Sequence, residues 1–193
     1  VQRHVAFCLF YPGNVLNVRG MLAKSYDGVD RRLLLPAVEA VLANEDGRAR
    51  GTVVSVYDKV GFDDLRPLLP AIYKAVAEPA PSGEMFADGI RLRGLELLAA
   101  NRVAEGLPLC VRLCEPDRCG AAKRIGPCVR ALERYAAAAK SELPALRDLL
   151  RSLESVKKPD AELVAEVKRV ITVIEASTTA PTLRSLAEAA AGK

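Results

Sequence analysis

Leu69-Pro70-Ala71-Ile72 is one copy of a phrase that occurs four times, the others being Leu35-Pro36-Ala37-Val38, Leu107-Pro108-Leu109-Cys110 and Leu143-Pro144-Ala145-Leu146. The prolines step by 34, 38 and 36 residues, and self-similarity at such a period marks stacked supersecondary units. Six residues after each proline stands an apolar residue: Leu42, Val76, Cys114 or Leu150. That position shares a helical face with the residue at proline plus two, so each phrase opens an amphipathic helix.

Ahead of each phrase lies a glycine-marked segment: Arg19-Gly20-Met21-Leu22, Arg50-Gly51-Thr52-Val53, Arg93-Gly94-Leu95-Glu96 and the divergent Ile125-Gly126-Pro127-Cys128. Glycine inside a helix costs about 1 kcal/mol relative to alanine. Its recurrence at one place therefore reads as a crossing point where a second helix approaches closely. Each repeat is a helix pair, with the glycine in helix A and the Leu-Pro phrase in helix B.

Composition supports this reading. The chain has 193 residues, half of them hydrophobic, which is enough to bury a continuous core without disulfides or metal. Aromatic residues make up 5% and Trp is absent, which suits closely packed helices better than sheets. The expected class is all-α. The net charge of +4 is a mild excess, short of a dedicated nucleic-acid binder. No run approaches the ~18 apolar residues of a membrane span, and the apolar piece Val5 to Tyr11 is too short for a signal peptide.

Taken in order, residues 1–12 read as the end of a preceding helix, stopped by Pro12-Gly13, and the first residue, Val1, suggests a processed chain or a piece of a larger protein. Helix-pair repeats are expected over 13–44, 46–79, 87–117 and 121–154, followed by C-terminal capping helices over 159–193, all in one domain. In the second repeat, helix A is placed near 48–60 and helix B after Asp63 or Asp64. Pro70 lies six residues beyond Asp64, as Pro36 does beyond Asp30. Proline is tolerated in the first turn and costs about 3 kcal/mol farther in, so a bend or a later helix start is expected there. Pro108 and Pro144 fall within the first turn of their helices. Asp160 should cap a helix whose stripe is Leu163, Val164, Val167, Val170, Ile171 and Ile174. A last short helix is expected over 183–191.

This format resembles that of HEAT repeats over residues 14–153. Members of that family pair an early acidic or amide residue with an Arg a turn later in helix A, and often open helix B with Leu-Pro. Asn14 with Arg19, Asp46 with Arg50, and Asp88 with Arg93 match the first feature, and the four Leu-Pro phrases match the second. The fourth repeat departs, with Asp117 and Arg124 seven apart. Tetratricopeptide repeats fit less well, because their proline closes helix B and they carry an early Trp. The resemblance implies a right-handed α-α superhelix serving as a curved binding surface, a function that fold alone does not specify further.

Residue chemistry narrows the function classes. His4 is the only histidine, so catalytic triads and histidine metal sites lack material. Cys110, Cys114, Cys119 and Cys128 lie within nineteen residues, but their spacing matches no zinc format. Three of them occupy positions that are apolar in the other repeats: Cys110 matches Val38, Ile72 and Leu146; Cys114 matches Leu42, Val76 and Leu150; Cys128 matches Leu22 and Val53. Packing as small apolar residues accounts for them. No metal, cofactor or small-molecule ligand is expected, and the chain is read as non-catalytic.

Two surfaces stand out as candidates. The connection from Pro79 to Phe86 carries Met85 and Phe86, which serve either as a binding loop or as an insertion tucked onto the core. Between Arg112 and Lys140 there are seven basic residues against three acidic ones, an excess equal to that of the whole chain. Arg118, Lys123, Arg124, Arg130 and Arg134 from this stretch are the candidate basic patch. The leading expectation is a protein-interaction scaffold using the row of B helices or this loop. The alternative is sequence-independent nucleic-acid binding through the patch.

Overall fold

The computed structural model describes residues 2–10, 26–78, 87–115 and 122–192. Among these residues every regular element is helical, apart from an isolated parallel bridge between Val103 and Arg184, so the all-α expectation holds. Helix A of the first repeat, Gly20, the connection 79–86, Arg118 and Cys119 lie outside the described residues. The chain forms two compact units, Val1–Leu97 with Ala187–Lys193, and Leu98–Leu186.

In the first unit, α1 (Gln2–Phe10) buries Ala6 and Phe10. The Ser55 hydroxyl donates to the Phe10 carbonyl, and the Tyr26 phenol lies 3.2 Å from the same hydroxyl. Helix α2 (Arg31–Leu42) begins where the Asp30 carboxylate accepts the Arg32 N–H at 2.9 Å. It buries Leu34, Val38 and Leu42, four residues apart, and leaves Leu33 73% exposed. The helix runs unbroken from its Asp30 cap through Pro36, so the first Leu-Pro phrase lies inside helix B and does not open it.

Helix A of the second repeat is two pieces, α3 (Gly47–Gly51) and α4 (Val54–Lys59), where a single helix near 48–60 was expected. The break is at Thr52. Its N–H and its hydroxyl both donate to the Ala49 carbonyl, at 3.1 and 2.7 Å, tightening the backbone to a three-residue turn. Helix B follows as α5 (Phe62–Leu65), a 3₁₀ turn over Arg66–Leu68, and α6 (Leu69–Ala77). The 3₁₀ turn lets a new helix begin at Leu69, which puts Pro70 in a first turn where its missing N–H is harmless.

Helix α7 (Ala87–Ala100) crosses α6 at Gly94. A Cβ there would lie 2.5 Å from Val76 Cγ2 and 3.2 Å from Ile72 Cγ2, so a larger residue would have to push these side chains aside. This is the crossing point expected from the repeat. Gly126 is different, since a Cβ there would come no closer than 3.4 Å to the Arg130 guanidinium, an ordinary contact.

In the second unit, α8 (Gly106–Arg112), α9 (Ala122–Glu133), a 3₁₀ segment over Ala136–Glu142 and α10 (Leu143–Ser155) precede α11 (Ala161–Ala176). Asp160 caps α11, its carboxylate accepting the Leu163 N–H at 3.1 Å. Helix α11 packs on α9, α10 and the 3₁₀ segment. It buries Val167, Val170, Ile171 and Ile174, while Leu163 and Val164 are half-buried. The last helix, α12 (Leu186–Ala190), starts later than expected because Arg184 is held in extended backbone. The Arg184 N–H donates to Arg102 at 3.1 Å, and Ala104 donates to the Arg184 carbonyl at 2.8 Å. The Glu105 carboxylate then accepts the Leu186 N–H at 2.8 and 3.0 Å.

Candidate functional site

Of the five basic residues singled out in the sequence, Arg118 lies outside the described residues, Lys123, Arg130 and Arg134 are exposed, and Arg124 is buried at 1% exposure. Arg124 is therefore withdrawn from the surface patch. Its Nε donates to the Leu113 carbonyl at 3.1 Å and its Nη2 to the Glu115 carbonyl at 3.0 Å. Those carbonyls lie just past the end of α8, where a helix leaves acceptors unmet and favours a positive charge. The side chain ties α9 to that end. The sequence held a signal for this, since Arg124 is spaced four, eight and eleven residues from Cys128, Leu132 and Tyr135, all of them buried.

Of the remaining cations, Arg130 is engaged by α11, with its Nη1 3.5 Å from a Glu166 carboxylate oxygen. Arg169 pairs with Glu166 at 2.9 Å and with Glu133 at 2.8 Å. The hydrogen bond from Arg169 foremost, and that from Arg130 after it, hold the Glu166 carboxyl below its ordinary range. Glu166 and Arg169 add one charge of each sign. A count along the sequence could not show that Arg130 already has a carboxylate beside it.

The cysteines behave as the repeat register implies. Cys110, Cys114 and Cys128 are buried thiols, and the S–H groups of the first two donate to the Gly106 and Cys110 carbonyls at 3.4 and 3.3 Å. Burial, more than the neighbouring Cys128, pushes the Cys110 thiol well up, so it stays protonated. Met85 and Phe86 lie outside the described residues.

The arginines of helix A differ in burial from one repeat to the next. Arg50 is buried at 4% exposure, while Arg93 is half-exposed and sits 3.1 Å from Asp58 and 2.9 Å from Glu96. The buried arginine of α7 is instead Arg91. Asp46 caps α3 by accepting the Arg48 N–H at 3.0 Å.

A groove of about 590 Å³ opens between α2 and α6, the B helices of the first two repeats. Glu39, Glu45 and Glu78 line it with Lys74 and the buried Arg50, and Ala71 presents a small side chain on the α6 side. Lys74 and Glu78 are 4.0 Å apart, one turn of helix from each other. Among the described residues Glu39 and Glu45 have no ion-pair partner, and both are exposed. The row of B helices was legible in the sequence, but not these residues: a polar residue on a solvent face carries no periodic mark of its own.

Compared with protein-family models, curated proteins and solved structures, the chain matches none of them.

Proposed function

We propose that this chain is a non-catalytic protein-interaction module, built on HEAT-like helix pairs in a right-handed superhelix, that docks a partner in the groove between α2 and α6. The observation that carries this reading is the groove itself. It has the volume of a binding cleft, and it lies between consecutive Leu-Pro helices, where a stacked-repeat protein offers its surface.

Affinity capture from extract of the source cells, quantified by mass spectrometry, tests it. The immobilised chain is compared with Ala71→Trp, which fills the groove, and with Leu33→Asp, a change at an exposed position of α2. A specific partner should fall by about tenfold or more with Ala71→Trp, a loss of about 1.4 kcal/mol, and remain with Leu33→Asp. Capture indifferent to Ala71→Trp overturns the assignment.

Nucleic-acid binding is the second reading, favoured by the exposure of Lys123, Arg130 and Arg134 and opposed by the pairing of Arg130 with Glu166. Titration of a fluorescent duplex and single strand at two salt concentrations, with an Arg130→Ala/Arg134→Ala variant, separates the two. Steep salt dependence lost in the variant is the signature of phosphate contacts.

A further inference from the structure

We infer that the occupant of the groove between α2 and α6 is a basic peptide segment, one bearing Lys or Arg side chains that reach Glu39 and Glu45. The inference rests on the docking role proposed above and adds the chemistry of the partner. The charges of the groove carry it. Lys74 lies 4.0 Å from Glu78, and the buried Arg50 forms part of the floor, so the three carboxylates and two cations of the lining leave one net negative charge. What faces solvent without an ionic partner among the described residues is the pair of carboxylates Glu39 and Glu45. They sit on a chain whose net charge is +4, so the groove is negative where the molecule as a whole is positive. Such a contrast draws a cationic segment in and rejects an acidic one. Leu42, Ala71 and Ala75 add apolar wall, which suits the methylene stems of Lys and Arg.

Selection from a random dodecapeptide phage library against the full chain, followed by anisotropy titration of the enriched peptides, tests this. Enriched peptides should be rich in Lys and Arg. Their affinity should fall about tenfold with Glu39→Gln/Glu45→Gln and also with Ala71→Trp, with the helical circular dichroism of both variants unchanged. Basic peptides that bind the Glu39→Gln/Glu45→Gln variant as tightly as the parent chain overturn the inference. Neutral or acidic peptides lost with Ala71→Trp also overturn it, while leaving the groove as a docking site. If no peptide is enriched, or binding ignores Ala71→Trp, the basic-segment inference and the docking role fall together.

Discussion

The phenol of Tyr135 donates a 2.9 Å hydrogen bond to the carbonyl of Val103, thirty-two residues away, and Gly106 lies directly against that phenol. A Cβ on Gly106 would stand 2.5 Å from the Tyr135 hydroxyl oxygen and 2.9 Å from Leu98 Cβ. The Val103 carbonyl also accepts the Gly106 N–H at 3.0 Å, so helix start, loop and tyrosine form one buried unit.

Gly106→Ala is expected to destabilise the protein by about 1–3 kcal/mol, because the clash outweighs alanine's helix preference of about 1 kcal/mol. Tyr135→Phe should cost about 0.5–1.5 kcal/mol, since the Val103 carbonyl keeps one donor. The double variant should cost less than the two single changes together, because removing the hydroxyl removes part of the clash. Urea denaturation of the three variants measures the coupling, and strict additivity would contradict the packing.

Gly94 makes the same kind of contact in the first unit, against Val76 of α6. Gly94→Ala should lower stability by about 1–3 kcal/mol, and Val76→Ala introduced beside it should recover part of that loss despite its own cavity. Thermal melts of the single and double variants decide this. A Gly94→Ala protein more stable than the parent would mean that the helices do not cross here.

Arg124 and Arg130 should separate cleanly. Arg124→Ala leaves two buried or part-buried carbonyls without their donor and should cost about 2–4 kcal/mol. Arg130→Ala removes an exposed pairing with Glu166 and should change stability by about 0.5 kcal/mol or less. Denaturant midpoints measured side by side check this, and equal effects would return Arg124 to the surface.

Alkaline pH should unfold the chain through its tyrosines. Burial raises the phenols of Tyr26, Tyr57 and Tyr135 above the ordinary value of 10.0, with Ser55 opposing at Tyr26 and Arg50 opposing at Tyr57. The unfolded chain then loses phenolic protons above pH 10 while the folded chain keeps them. The stabilisation is whole below pH 10 and declines above it, by up to about 1.4 kcal/mol per pH unit for each such tyrosine. Tyrosinate absorbance and helical circular dichroism followed together should show these phenols ionising only as helix is lost. Reversible ionisation of every tyrosine in the folded protein near pH 10 would contradict their burial.

The sequence by itself determined the helical class, the Leu-Pro openings at Pro70 and Pro144, the Asp160 cap, the Gly94 contact and the burial of three cysteines. Each of these is written in a local period or in a side chain acting on its own turn, and such signals survive without knowledge of neighbours. The tertiary structure decided the rest. Arg124 could be read as a surface cation until the carbonyls past α8 were brought to it, and Arg130 stood alone until α11 laid Glu166 beside it. The groove between α2 and α6 belongs to the same class, because its walls come from two helices separated along the chain by α3, α4 and α5. A charge acquires its role from what desolvates it and what faces it, and both are properties of packing that no linear spacing records.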